Sequence, residues 1–426
     1  MKWASIRTLL FILAMVLGAA HGATAADNQL ITSVAAIYQY NDNIFLNPDI
    51  ILSDNIYTIA PKLELVRHSE RYTVRVDGKL EFYRYQDNDA FDDTDQWYNG
   101  YFEATPSERW QVGIDAHVSD DNRPDRDIET TGLVLSNVRR RRINAGASAN
   151  YTFSEMLATG LFLEFNRENF DDPEVSDRKD YHVVLAATHS LDAWLARTTG
   201  RLSLGYDHYE FERSFEQTGT QGGFDVTTSL DDRTKVDNIS LTFGTETALT
   251  EKVNLVVDLG GRYAHSKRDL KLARIYSPPL ITEAPSSTDG TDDNFGFVGN
   301  VNLTYRGERS RSDLFLSNDL QPVSGNNATV NRTIVRLSGS RRLLEHLRGN
   351  LFLQWYRNEN NSDDLTQDDI DTHTWNAGGG LRWALNDYFD LSANYVYTIY
   401  DNREAGTTAY RNLATILLEA HHDWLE

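Results

Sequence analysis

From about residue 30 to its end, the chain repeats a segment of roughly 10 residues that alternates apolar with polar, followed by a turn or a polar stretch. The segment after Arg71 is the clearest: Tyr72, Val74, Val76, Leu80 and Phe82 share one parity, and Thr73, Arg75, Asp77, Lys79 and Glu81 the other. A strand sends successive side chains to opposite faces, so such a segment makes a strand with one apolar and one charged face. The connections are sorted by length. Tight turns recur at Ser69-Glu70-Arg71, Ser107-Glu108-Arg109, Ser154-Glu155 and Thr250-Glu251-Lys252, with looser relatives near Asp192, Glu308, Glu345 and Asp387. Between them lie long acidic stretches: Gln86 to Gln96, Ser119 to Ser136, Phe211 to Arg233, Lys267 to Asp293 and Asn358 to Thr372. Short connections on one rim and long ones on the other mark an outer-membrane barrel, with periplasmic turns and extracellular loops. A soluble sandwich has no reason to sort its loops in this way.

The expected fold is therefore all-β: a transmembrane antiparallel up-and-down barrel. Eighteen segments alternate, near 31–40, 54–67, 71–85, 97–104, 109–119, 138–153, 157–167, 180–190, 194–210, 235–248, 252–266, 293–306, 311–319, 330–340, 347–358, 373–385, 388–400 and 410–422. Sixteen is the alternative, should the segments near 97 and 311 be misread. An even count returns both termini to the periplasmic rim. Lys2 and Arg7, the apolar run Leu9 to Leu17 and the small residues Ala23-Thr24-Ala25 read as a signal peptide over residues 1–25, leaving 26–426 as the barrel. The apolar run is shorter than the roughly 20 residues of a spanning helix.

Composition narrows the partners. Losing Lys2 and Arg7 takes the formal charge from −22 to −24, which disfavours nucleic acid. There is no cysteine, hence no disulfide or thiolate site. A mean hydropathy of −0.50 fits a barrel, because half of each strand and all the loops meet water.

Parity assigns a lipid face that includes Trp110, Val112, Ile114 and Ala116, Leu161, Leu163 and Phe165, Leu255, Val257 and Leu259, and Leu391, Ala393, Tyr395, Tyr397 and Ile399. Aromatic residues near strand ends, among them Tyr57, Trp110, Tyr206, Tyr263, Tyr305 and Trp383, suit interfacial girdles. The opposite parity gives lumen-lining candidates: Arg75, Asp77, Lys79, Glu81, Asp115, His117, Glu164, Asp207, Asp258, Arg262, Arg306, Arg336 and Arg382. Mixed signs around a wall imply cross-strand ion pairs, with a hydrated path for a polar solute as the second reading.

Other constellations are weaker. Arg139, Arg140, Arg141 and Arg142 form the one concentrated basic run, at a strand end facing outward; lipopolysaccharide phosphates or the acidic loops are its partners. Asp87-Asn88-Asp89, Asp92-Asp93 and Asp369 to Asp371 offer oxygen ligands to Ca²⁺, yet none has EF-hand spacing, and solvated loops are the plainer reading. His421 and His422 are adjacent and point apart on a strand, so no metal site is expected. Neither a Gly-x-Ser-x-Gly elbow nor a His-Glu-x-x-His motif is present, so catalysis is not expected.

After the first strand stands Tyr40-Asn41-Asp42-Asn43-Ile44-Phe45. This resembles the Tyr-x-Asp-Asn-Ile-Phe type box that opens members of the putative beta-barrel porin 2 family, and the likeness continues through Asp54 to Pro61, Arg84-Tyr85 and the barrel layout. The resemblance implies a large barrel, commonly about eighteen strands, that acts as the outer-membrane conduit for an exopolysaccharide with a separate periplasmic export protein. One departure is the ending Asp423-Trp424-Leu425-Glu426, where such barrels commonly finish on an aromatic residue; Trp424 is the candidate substitute. The expectation is a monomeric conduit for a capsular or exopolysaccharide. A general diffusion porin and a surface structural or adhesive barrel are the alternatives.

Overall fold

The computed structural model describes residues 27–123, 128–133, 138–221, 224–277, 281–282, 286–360 and 369–425. The expected signal segment and Pro278, Pro279 and Pro285 lie outside them. The chain forms β1 (Asp27–Asn41), β2 (Asp54–His68), β3 (Tyr72–Tyr85), β4 (Asp93–Ser107), β5 (Trp110–Asp121), a one-turn helix α1 (Ile128–Thr131), β6 (Arg140–Ser154), β7 (Leu157–Phe170) and β8 (Asp177–Ser190). It continues through β9 (Thr198–Gln221), β10 (Phe224–Ala248), β11 (Val253–Ser277), the two-residue β12 (Ile281–Thr282), β13 (Ser286–Arg306) and β14 (Ser310–Pro322). The last strands are β15 (Thr329–Arg342), β16 (Leu347–Glu359), β17 (Asp371–Ala384), β18 (Phe389–Asn402) and β19 (Thr407–Asp423).

Each wall strand pairs antiparallel with its sequence neighbour, β12 being a stub on β11, and β1 pairs with β19 from Ile31↔Asp423 to Asn41↔Leu413. The result is a closed barrel of eighteen wall strands. The weak segments near 97 and 311 are full members, β4 and β14. Every turn foreseen as tight joins strands on one rim, over two to seven residues, and Asp27 and Asp423 lie on that rim too.

Hydrophobic side chains are exposed on the outer parity: Ile114, Leu163, Val183, Phe243, Leu259, Leu351 and Tyr395 all show more than a third of their surface. That inversion of the usual pattern is what a lipid solvent demands. The band has a measurable height. On β13 the exposed aromatics Tyr305 and Phe295 are ten positions apart, and on β17 Trp383 and Trp375 are eight apart. At ~3.3 Å per residue and a tilt of about 40°, these spans correspond to roughly 20–25 Å of apolar wall, the thickness such barrels present.

Two expected loops are strands instead. β9, β10 and β11 run for 24, 25 and 25 residues, against 12 to 15 in β1–β8, so the described residues of the stretches Phe211 to Arg233 and Lys267 to Asp293 continue the ladder above the membrane. Its outer parity turns to Glu, Ser, Thr, Asp and Lys, while its inner parity keeps Phe215, Leu230 and Leu272 as cross-strand partners above the buried Asp232 and Arg268. Cross-strand hydrogen bonding holds it, from Asp225↔Thr220 and Asp225↔Ser277 down to the barrel.

Candidate functional site

Eighteen strands spaced ~4.8 Å apart and tilted about 40° enclose a backbone cylinder roughly 36 Å across. Side chains on the wall would still leave an aqueous hole, so the chain inside the cylinder decides what passes. Three connections fold inward and meet there.

The connection after β5 crosses to the far wall. Ile128 at the start of α1 is 1% exposed, packed with Leu46 from the β1–β2 connection, Ala409 of β19 and Tyr400 of β18. The carbonyl groups that end α1 need donors, and the opposite wall supplies them. Asn376 Nδ2 donates to Ile128 O at 3.4 Å, Asn358 Nδ2 to Thr131 O at 3.0 Å, and the Thr374 hydroxyl to Gly132 O. Thr374, Asn376 and Asn358 are fully buried beneath this contact. Gly132 turns the chain at φ +69°, against the buried ring of Tyr356. The same segment is tied at its entrance, where Tyr83 donates to Asn122 and Arg123 reaches Glu81 at 3.6 Å and Gln39.

From the other side, the connection between β14 and β15 comes in. Val323 and Val330 bury against Leu133, and Leu320 caps Tyr209, Phe211, Val236 and Ala264 on the inner face of β9–β11. Gly325, at φ +72°, bridges to Ser176 at the start of β8. A buried ion cluster adjoins it. Glu168 is 1% exposed and faces Arg140 at 2.8 Å, Arg142 at 2.9 Å and Arg178 at 3.6 Å, while Arg140 also bonds Ser324 Oγ at 3.2 Å. Arg178 pairs with Asp180 at 3.0 Å. Beside this cluster lies a cavity of about 750 Å³ whose wall carries Arg142, Glu164, Arg178, Asp180, His182, Asp207 and Arg332, with Phe162 and Tyr209 as aromatic surfaces. It can hold a polar solute of several heavy rings' size through charge-assisted hydrogen bonds.

The lumen candidates differ in partners and in position. Arg75 pairs with Glu64 at 3.3 Å, Lys79 with Glu81 at 2.9 Å, and Asp258 forms a bidentate pair with Arg201 at 2.6 and 2.7 Å. Glu164 takes hydrogen bonds from Asn144 and Asn166, and Arg336 donates to Tyr356 Oη at 3.1 Å. Asp115 packs against Gly146, and Arg262 is 5% exposed against Gly296. His117 and Asp207 line or border the cavity. Arg306 and Arg382 lie at the periplasmic end, where Arg382 pairs with Asp390 at 2.7 Å, far from the inward connections. Asp77 receives a bond from Asn99. Sequence reasoning missed Arg178, Asp180 and Glu168, although the alternation of β7 and β8 carries them on the same parity as Glu164 and His182.

Two site expectations change. Arg140 and Arg142 cannot meet lipopolysaccharide, because alternation turns them into the lumen onto Glu168. Arg139 is held by Asp120 at 2.6 Å and Asp93 at 2.8 Å, leaving only Arg141 of the four half-exposed on the outside. Of the acidic stretches, Asp92 and Asp93 use their oxygens internally, Asp92 accepting from Tyr85 N and Asp93 from Thr94 N and Arg139, while the backbone of Asp87 and Asn88 donates to Asp54 at the start of β2. Among the described residues no group of three or more His, Asp or Glu is gathered to hold a metal ion.

The Tyr40 to Phe45 box has a structural task. Asp42 accepts from Asn412 N and Nδ2, both at 2.6 Å, clamping the seam where first and last strands close the barrel. Asn43, 2% exposed, bonds Asn47 O and Tyr410 O, while Ile44 and Phe45 pack with Ile56, Tyr83, Tyr85 and Phe91. Tyr40 stays on the outer face, 43% exposed. At the other end of the seam Trp424 donates from its ring to Thr32 Oγ1 at 2.9 Å and from its backbone to Leu30 O at 2.9 Å. The final strand therefore closes in register on β1, with Trp424 bonded across the seam.

Fold and site together define a transmembrane β-barrel whose lumen is obstructed by its own inward-folded connections. Known structures with similar architecture include the copper transporter OprC, at 12% identity over 90% of this chain and 64% of that one, with a TM-score of 0.47. OpdL of Pseudomonas aeruginosa is 11% identical over 93% of this chain and 99% of that one, at a TM-score of 0.42. The ferric citrate transporter FecA is 12% identical over 89% of this chain and 61% of that one, at 0.45. The chain thus spans under two thirds of the length of OprC and FecA. No protein-family profile matches the chain, and no curated protein does.

Proposed function

We propose that this barrel sits in the outer membrane of a Gram-negative envelope and is a conduit that is occluded at rest, its cargo an exported capsular or exopolysaccharide delivered by a separate periplasmic protein. The observation that carries the reading is the latch of α1 on Asn358, Thr374 and Asn376, which lays a buried plug across a cylinder that is otherwise wide enough for a hydrated polymer. A conduit that waits for its partners has use for such a plug; a general diffusion porin does not. Below the plug the inner parity offers Asn302, Ser338, Gln354 and Asn394, short polar groups that can exchange weak hydrogen bonds with a moving chain of hydroxyls.

Deleting the protein tests the cargo. Surface polymer should vanish while sensitivity to antibiotics and detergents stays as before. Normal polymer with slower uptake of small solutes would replace this reading by the second one, a selective channel for a charged solute. That second reading is favoured by the charged cavity of about 750 Å³.

A further inference from the structure

The outer surface of β7–β11 carries a register that the conduit reading does not use. One row across these strands is apolar and aromatic: Leu163, Val183, Tyr206, Ile239 and Tyr263 are successive cross-strand partners. Four residues further toward the extracellular end, by the same pairings, stand Arg167, Lys179, Glu210, Lys235 and Lys267. Four positions along a tilted strand rise roughly 10 Å, so this row lies at headgroup level above the aromatic girdle.

Two contacts in the row are unfavourable as they stand. Arg167 is directly opposite Lys179, and Lys235 directly opposite Lys267; like charges in that position destabilise a sheet. The nearby acids answer only one of these cations, Lys235. Asp237 is bonded by Tyr206 and His208, Asp293 by Tyr263 and His265, and Glu210 by Lys235 at 2.9 Å. Among the described residues Arg167, Lys179 and Lys267 form no ion pair, and Arg167 donates only to Asn169. A shallow cleft of about 250 Å³ opens there, lined by the cations Arg167, Arg178, Lys179, Arg233 and Lys235 and by the acids Asp177, Glu210 and Glu212, with Arg233 already paired to Glu212 at 3.1 Å. In a chain with a net charge of −22, a row of four cations around the single acid Glu210 at one depth attracts an anion.

We infer that this row binds the phosphorylated headgroup of an outer-leaflet glycolipid, with its sugar phosphates on Arg167, Lys179, Lys235 and Lys267 and its acyl chains along the apolar row below. The ligand class follows from the geometry: phosphate for the paired cations, and lipid because Phe165 and Tyr181 on β7 and β8 carry the apolar surface up to them, although His208, Asp237 and His265 interrupt it on β9–β11. The inference rests on the membrane placement and is independent of the cargo.

Native mass spectrometry of the purified barrel in detergent tests it, with diphosphorylated lipid A, the same lipid stripped of phosphate, and inorganic phosphate as probes. Diphosphorylated lipid A should be retained, with the dephosphorylated form about tenfold weaker or worse. Lys179→Gln with Lys267→Gln should weaken retention by about tenfold or more, whereas Arg309→Gln in a periplasmic turn should not. Heat-modifiable gel mobility checks assembly, and Arg167→Gln replaces the double variant if that does not assemble. Equal retention of the dephosphorylated lipid, or of lipid A by a charge-removed variant, would overturn the site. Inorganic phosphate binding as tightly as lipid A would make it a small-anion site and equally defeat the proposal.

Discussion

Replacing Gly132 by alanine should unlatch the plug. Gly132 holds φ +69°, a region that costs an L-residue about 1–2 kcal/mol. A Cβ there would stand 2.5 Å from Tyr356 Cβ. Tyr356 cannot retreat, since it is fully buried and its hydroxyl is held between Arg336 and Gln354, both at 3.1 Å. Overpacking of this kind adds about 1–3 kcal/mol. Together the two terms destabilise the docked plug by about 2–5 kcal/mol, a shift of roughly 30- to several thousand-fold toward the undocked state. Single-channel recording in planar bilayers reads that shift directly as open probability. Wild-type protein should be largely silent, and Gly132→Ala should open often, to a large conductance. Thr374→Val, which keeps the shape but leaves the Gly132 carbonyl without its donor, should act in the same direction by about 1–3 kcal/mol. A wild-type barrel that conducts steadily, or a Gly132→Ala barrel no more open than wild type, would refute the latch as the closure.

Three further outcomes follow from named contacts. Val257→Arg should cost about 2–4 kcal/mol at mid-membrane and impair assembly, while Asp258→Asn, which loosens one pair with Arg201, should assemble but with lower heat resistance on gels; equal tolerance would overturn the parity. Asp42→Ala removes two bonds across the seam and should lower thermal stability by about 1–3 kcal/mol, read by differential scanning, with no change if the box does not clamp closure. In the sheet above the membrane, burial raises the Asp232 carboxyl, but Arg268 at 2.7 Å and Arg213 at 3.3 Å bring it below its ordinary value. Its contribution is therefore complete above the unfolded value of about 3.9 and is lost as pH falls through the lower folded one. Protease protection of β10 should drop in that acid window, and Asp232→Asn should remove the pH dependence.

Much of the barrel was legible because lipid imposes its own code. Val257 and Asp258, or Leu163 and Glu164, differ only in parity, and a wall with lipid on one side and water on the other leaves that parity as the sole solution. The code weakens above the membrane, where Arg213, Asp232 and Arg268 interrupt the apolar inner parity. Arg213 to Gln221 and Lys267 to Ser277 read as loops for that reason, and their strand pairing became visible only through the partners that hydrogen-bond them. Basic runs mislead in a similar way: Arg139 to Arg142 are contiguous in sequence, but alternation sends two of them to Glu168 inside and two outside.

The sequence by itself determined the alternation, the sorting of tight turns to one rim and the lipid face, since these depend on residue order within one or two strands; the choice of eighteen strands over sixteen and the closing register of first strand on last came from the pairing. Only the tertiary structure decided whether the lumen is open. Ile128 meets Leu46 and Ala409, and Gly132 meets Thr374 and Tyr356, contacts between segments far apart in the chain. The same holds for the cation row, whose members lie on different strands and align only once the register is set. Such contacts carry no local periodicity, because each is fixed by the width and register of the closed cylinder and not by its neighbours along the chain.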